Sequence, residues 1–370
     1  MKHHNVSHMD RLSLLKFPIL KKVLLRKRLV LPITILAIIS LLITAFSPSK
    51  LEPSPRDYVS FAYDEQSDQI ILFGGGTQLY QYHHGNKETW AFDVKENTWT
   101  NMKPAPKPRN MAAATMAYDS ESDRVILFGG CLGQTVWNET WAYDYDTNTW
   151  TKMSDGPEGL MGPRMVYDEE SDRMILFGGV DYDTFTFYDD TWAYDYNTDT
   201  WEEMQPDVHP QARNYQAMAY DAEIDRVLLS GTYVEGGPPD TTYNLWAYDY
   251  DSNTWEDLSS NNSEPLSLVY AAMAYDAESK RSILFGGLDF MSGTVYDDTW
   301  AYDSDADTWE EMKPTDNPGK LAKHFMVYVS SKDLMYLFGG DLCTDGCQLS
   351  NELWTYDYDS NTWAQITQEP

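Results

Sequence analysis

An all-β fold of six radially packed, four-stranded antiparallel sheets, preceded by one N-terminal transmembrane helix, is predicted by three observations. A long pattern recurs six times after residue 51, and paired tryptophans nine residues apart recur with it. An uncharged apolar run occupies residues 29–46. Self-similarity at this length points to a repeat architecture before any local assignment is made.

The register is anchored on one tyrosine per copy: Tyr63, Tyr118, Tyr167, Tyr220, Tyr275 and Tyr328. A proline stands ten residues before each and a glycine eleven residues after each. The tryptophan pairs are Trp90/Trp99, Trp141/Trp150, Trp192/Trp201, Trp246/Trp255, Trp300/Trp309 and Trp354/Trp363. In the copy from Pro108 to Met153, MAAATMAYD is small and apolar, as an innermost strand crowded by neighbours must be. RVILFGG reads as a short buried strand closed by glycines where φ is positive or backbones approach closely. ETWAYDYD alternates, and DTNTW supplies a hairpin turn into the outermost strand NTWTKM. One such sheet cannot bury both faces, whereas six packed face to face in a ring can. The repeated tryptophans are therefore expected in the packing between sheets.

The hydrophobic run, the glycine pair and the spaced Tyr and Trp resemble the kelch repeat, and six copies resemble the kelch six-bladed β-propellers, including the kelch-like repeats of the galactose oxidase superfamily. The resemblance covers residues 52–367, with blades expected at about 52–103, 104–154, 155–205, 206–259, 260–313 and 314–367. It implies a fold that hosts binding modules and enzymes alike. Two copies depart from the pattern: the fourth reads LLSGT in place of LFGG, and the sixth has Val329 where the others have Asp. Because every copy starts with its own innermost strand, the ring is expected to close by blade packing alone.

Residues 1–28 carry eight Lys or Arg and are expected to be cytoplasmic, with 29–46 as a signal anchor and 47–51 as a linker. Eighteen apolar residues suffice to span a hydrocarbon core, and the flanking Lys21, Lys22, Arg26, Lys27 and Arg28 orient the propeller outside the cell membrane. A cleaved signal peptide, with small residues at Ala45 and Ser47, is the alternative and leads to a secreted domain. Beyond residue 50 the chain holds 18 basic and 57 acidic residues, a net charge of −39. Such a domain repels nucleic acid and anionic lipid surfaces. In an exported domain Cys343 and Cys347, framing CTDGC, are expected to form a disulfide.

Function is expected on the face where the loops joining second to third strands emerge beside the blade-to-blade connections, because those loops vary while the scaffold repeats. Trp137, Tyr182, Tyr233 and Tyr296 lie in these loops; Trp137 has no counterpart in other copies, and either serves as a platform for a sugar or protein or folds back on its blade. Arg56, Arg109, Arg213 and Lys323, with Tyr58, Tyr215 and Tyr270, precede the innermost strands on the same face. These cations either hold a carboxylate, as in kelch propellers that bind acidic peptides, or bridge blades.

Catalytic signals are thin. Only His83, His84, His209 and His324 lie beyond residue 50, and no ligand set of a copper radical enzyme matches. No catalytic residue or cofactor is expected, apart from weak calcium stabilisation at repeated D-x-D-x-N stretches such as Asp144, Asp146, Asn148, which otherwise read as hairpin turns. The expected function is a membrane-anchored binding module for a cell-envelope protein or glycan; the alternative is a carbohydrate-active oxidase or isomerase on the same face.

Overall fold

The computed structural model describes residues 52–78, 85–231, 245–259, 265, 268–342 and 347–367. Six four-stranded antiparallel sheets follow one another along the chain, each made of four successive main strands. In blade 1 these are Ser60–Asp64, Gln69–Phe73, Thr89–Asp93 and Thr98–Asn101, paired in that order from the axis outward. The innermost strands of the other blades are Thr115–Asp119, Arg164–Asp168, Ala217–Asp221, Ala272–Asp276 and Phe325–Val329. Each touches the next around the axis, and the last packs on the first, so the ring is closed.

The tight turns follow from the sequence. In five of the six repeats the anchoring tyrosine donates its hydroxyl to the Asp five residues on, as from Tyr63 to Asp68 and Tyr118 to Asp123 at 2.9 and 3.0 Å; in the fifth repeat Lys280 stands there. Those aspartates, at φ 55° and 54°, occupy the left-handed turn position that Asp and Asn tolerate best. The D-x-D-x-N stretches are the equivalent outer hairpins: Asp144 accepts the Thr147 amide, and Asn148 at φ 51° accepts the Tyr143 hydroxyl. Turn formation thus accounts for the acidic repeat.

The seams between blades repeat as well. The second tryptophan of one blade lies against the phenylalanine that ends the second strand of the preceding blade, as in Trp150 on Phe73, Trp201 on Phe128, Trp255 on Phe177 and Trp363 on Phe285. Its indole N–H donates to a threonine of that blade: Thr89, Thr140, Thr191 and Thr299 at 2.9–3.0 Å. An apolar contact and a satisfied buried donor coincide at one side chain, which explains the fixed tryptophan spacing. The glycine pair serves the same seam. Gly74 at φ 71° lets the next blade pass so close that a Cβ would stand 2.7 Å from Met111 O, while Gly75 N–H donates to that carbonyl.

Closure differs from expectation in one respect. Packing is joined by hydrogen bonds from Arg56 N to Ser350 O, Gly340 N to Arg56 O and Tyr58 N to Lys323 O. The innermost strand is also shorter than MAAATMAYD suggests: Met111–Ala114 leave the blade before Thr115, because Ala113 turns to φ 56°. Ala113 is one of six equivalent residues, with Tyr58, Gly162, Tyr215, Tyr270 and Lys323, all at positive φ. Each donates its amide to the carbonyl of the equivalent residue in the preceding blade at 2.8–3.3 Å, and Tyr58 completes the circle onto Lys323.

The disulfide is partly visible: Cys347 is disulfide-bonded, and its expected partner Cys343 lies outside the described residues. Cys131 is free and buried. The expected transmembrane helix at 29–46 also lies outside the described residues, among which no helix is long and apolar enough to cross a membrane.

Candidate functional site

The connections between blades place the predicted cations in three different environments. Arg56 and Arg213 are 0% and 1% exposed. Arg56 donates to Ser54 O, Gly74 O and Glu88, and Arg213 to Gln211 O and Gly231 O, all at 2.8–3.0 Å. Each clamps the strand-entry loop of its own blade onto the glycine turn, so these contacts lie within one blade instead of bridging two, and neither guanidinium reaches the surface. Burial lowers the Arg56 pKa despite its bond to Glu88.

Tyr58, Tyr215, Tyr270 and Lys323 form a plug on the axis. They are four of the six residues in the amide circle, and their short entry segments aim the side chains inward. The rings pack at centroid distances of 4.6–5.6 Å, and Lys323 Nζ lies 5.2 Å from the Tyr58 ring and 5.7 Å from Tyr270. Lys323 pairs with Asp341 at 2.7 Å and reaches Asp57 at 4.0 Å. Burial pushes the Asp57 carboxyl up to about 7, against the pull of Lys323. With Tyr58 and Tyr215 only 6% and 4% exposed, the plug is a packed layer.

Arg109 and Trp137 meet in an open cleft between blades 1 and 2. The Arg109 guanidinium lies 5.1 Å from the Trp137 ring centroid and pairs with Glu139 at 2.5 Å, yet its side chain stays 50% exposed. Lys87, Lys107, Asn110 and Leu132 line the same cleft, whose volume is about 580 Å³. Three cations around one indole make a basic, aromatic recess in a strongly acidic domain. Glu139 also accepts from Trp141 Nε1, which fixes the carboxylate that orients Arg109.

The remaining predicted residues do not converge there. Tyr182 packs on the exposed Phe185 at 5.1 Å in blade 3, and Tyr296 is half-buried in the long hairpin of blade 5 formed by Arg281–Asp289 and Thr294–Asp303. Tyr233, His83 and His84 lie outside the described residues. His324 is fully buried against Phe285, and burial lowers its pKa to about 3, so the ring is neutral. No cluster of three His, Cys, Asp or Glu side chains suited to a metal occurs among the described residues.

Two features were missed in the sequence. Lys87 and Lys107 were legible as rare cations beside the variable loop of blade 2. Arg164 was legible too: the equivalent positions, Ser60, Thr115, Ala217, Ala272 and Phe325, hold no charge. Its side chain lines the axial channel.

Three overlapping stretches, residues 33–231, 153–332 and 225–370, match the family model of the KLHDC2/KLHL20/DRC7 Kelch-repeats domain. The chain is 26% identical over 172 residues to Mei4-dependent protein 6 of Schizosaccharomyces pombe, covering 41% of this chain and 24% of that protein. It is 29% identical over 110 residues to the flagellar outer-arm dynein alpha chain of Chlamydomonas reinhardtii, covering 28% of this chain and 2% of that protein. The chain thus spans a quarter or less of the length of these relatives. Repeats, sheets and family match agree: the chain belongs to the kelch-repeat domain family.

Proposed function

We propose that the protein is an interaction module that docks an acidic segment of a cell-envelope protein in the cleft between blades 1 and 2. The observation that carries this reading is the Arg109 guanidinium held on Trp137 beside Lys87 and Lys107. A half-exposed cation–aromatic pair with two lysines at its rim suits carboxylates presented by a partner chain. Because one face of Trp137 carries a guanidinium, a protein segment is favoured over a stacked sugar ring. Membrane anchorage through residues 29–46, with the propeller extracytoplasmic, is part of the proposal; it is supported by the uncharged run and by the basic residues before it.

Crosslinking of the full-length chain in envelope preparations tests the docking site. A partner captured by the native chain and lost with Arg109→Ala/Trp137→Ala supports the cleft. Equal capture by both chains removes it. Protease protection of residues 1–28 in sealed vesicles, with the propeller digested from outside, tests the orientation.

A further inference from the structure

A second site lies on the axis and is independent of the loop-face cleft. The innermost strands enclose a channel of about 490 Å³. Its wall is mixed: Ala117, Val166, Phe325 and Val327 face it beside the half-buried Tyr118, Tyr167 and Tyr328, while Met116, Met165 and Met326 at the positions between are packed into the seams between blades. The tyrosine plug closes one end, leaving only about 10 Å³ between Tyr58, Tyr215, Tyr270 and the floor formed by Arg164 and Phe325. The other end opens on the hairpin face, where the exposed Glu65 and Glu169 stand. From Arg164 to Glu169 the strand rises roughly 17 Å, so the channel is a deep blind tube.

Arg164 is the anomaly in this tube. It extends from blade 3 to Phe325 of blade 6, three blades away, with its guanidinium 4.1 Å from the ring centroid. Its Nε donates to Gln216 O at 2.8 Å. Among the described residues no carboxylate pairs with it, whereas Arg56, Arg109, Arg124, Arg173, Arg226 and Arg281 all have one. Burial lowers its pKa to about 10, so it remains charged at neutral pH. A cation without a counter-charge at the floor of a narrow tube loses part of its hydration, a cost that one anionic group would offset.

We propose that the channel binds a medium-chain aliphatic carboxylate head-down, its carboxylate on the Arg164 guanidinium and its chain along Val166, Ala117 and Val327. The guanidinium fork matches a carboxylate, and the wall supplies no second cation for a dianion such as phosphate. Lys323, the nearest alternative, lies beyond the floor and is held by Asp341. The tube's roughly 17 Å depth accommodates an extended chain of about a dozen carbons. Glu65 and Glu169 stand exposed to solvent at the mouth, roughly 17 Å from the floor, and that distance weakens their repulsion of a carboxylate seated on Arg164.

The test uses the full chain in nanodiscs, with empty nanodiscs as the blank, and decanoate labelled with heavy carbon at its carboxyl. The expected result is a saturable NMR signal from one bound carboxylate per chain, at least tenfold weaker in affinity for Arg164→Gln and retained in Arg164→Lys. Decylammonium should fail to displace it. Val166→Phe, which narrows the tube without touching the charge, provides a second block if Arg164→Gln does not fold. Arg109→Ala/Trp137→Ala should bind decanoate normally, which separates this site from the cleft. No saturable signal, equal displacement by decylammonium, or unchanged binding in a folded Arg164→Gln or Val166→Phe would overturn the proposal.

Discussion

The seam between blades 6 and 1 and the seam between blades 4 and 5 both lack the threonine that accepts the tryptophan N–H elsewhere, because Leu353 and Leu245 stand in its place. At the closing seam the loss is compensated. Trp99 still lies on Phe338 at 5.3 Å, and Val329, replacing the turn aspartate of the other blades, is fully buried with Phe61, Phe92 and Leu353. At the seam between blades 4 and 5 it is not. Ser230 replaces the phenylalanine, so Trp309 keeps Tyr302 of its own blade at 5.1 Å but loses its aromatic neighbour across the seam and its acceptor, and remains half-buried beside Leu245. The junction between the first and last blades thus replaces the missing acceptor with apolar contacts beside its backbone hydrogen bonds, while the weak junction lies between blades 4 and 5. Losing the polar acceptor at a seam is expected to cost little where apolar packing replaces it and more where packing is removed as well.

The sharpest way to break this contrast is truncation of the two tryptophans. Trp99→Ala should cost about 3–5 kcal/mol, as a buried aromatic does, and Trp309→Ala clearly less. Urea denaturation monitored by fluorescence reads both, and equal midpoints would erase the distinction. Acid should act on a third seam, between blades 5 and 6. Folded His324 resists protonation down to about pH 3, whereas an unfolded histidine takes up its proton near 6.5. The sign is destabilising as pH falls through that window, with a slope of up to about 1.4 kcal/mol per unit. His324→Phe should remove that part of the slope, measured as the difference in melting temperature between the two chains at each pH.

Smaller effects sharpen the comparison. Thr89→Val leaves the buried Trp150 N–H without its acceptor and should cost about 1–3 kcal/mol in the same urea assay. Restoring the common pattern by Ser230→Phe with Leu245→Thr should stabilise by about 1 kcal/mol, in line with consensus substitutions. If that pair proves neutral or harmful, the weak seam reflects a packing that the repeat does not supply.

The blades were legible because their signal is local and repeated six times. Periodic Tyr, Gly and Trp positions report the turns and seams directly, and the structure assigns each a partner. The site was less legible. Arg56 and Arg109 both follow a repeat proline by one to three residues, yet one is sealed beneath the Gly74 carbonyl and the other stands open over Trp137. Sequence position does not separate them, since exposure depends on which loop of the neighbouring strand folds over each. Arg164 escaped notice for a related reason: it opens a strand at a position where the other five copies carry no charge, and only column-by-column comparison exposes it.

The circle of amides through Tyr58, Ala113, Gly162, Tyr215, Tyr270 and Lys323 has a consequence for the ancestry of such rings. Every donor in it is matched to an acceptor one blade away, so the circuit has no free end. Duplicating or deleting a copy of the repeat would change the circumference that six peptide units span at bonding distance. A hub of this kind acts as a gauge: it tolerates divergence in the rim while holding the number of copies at six.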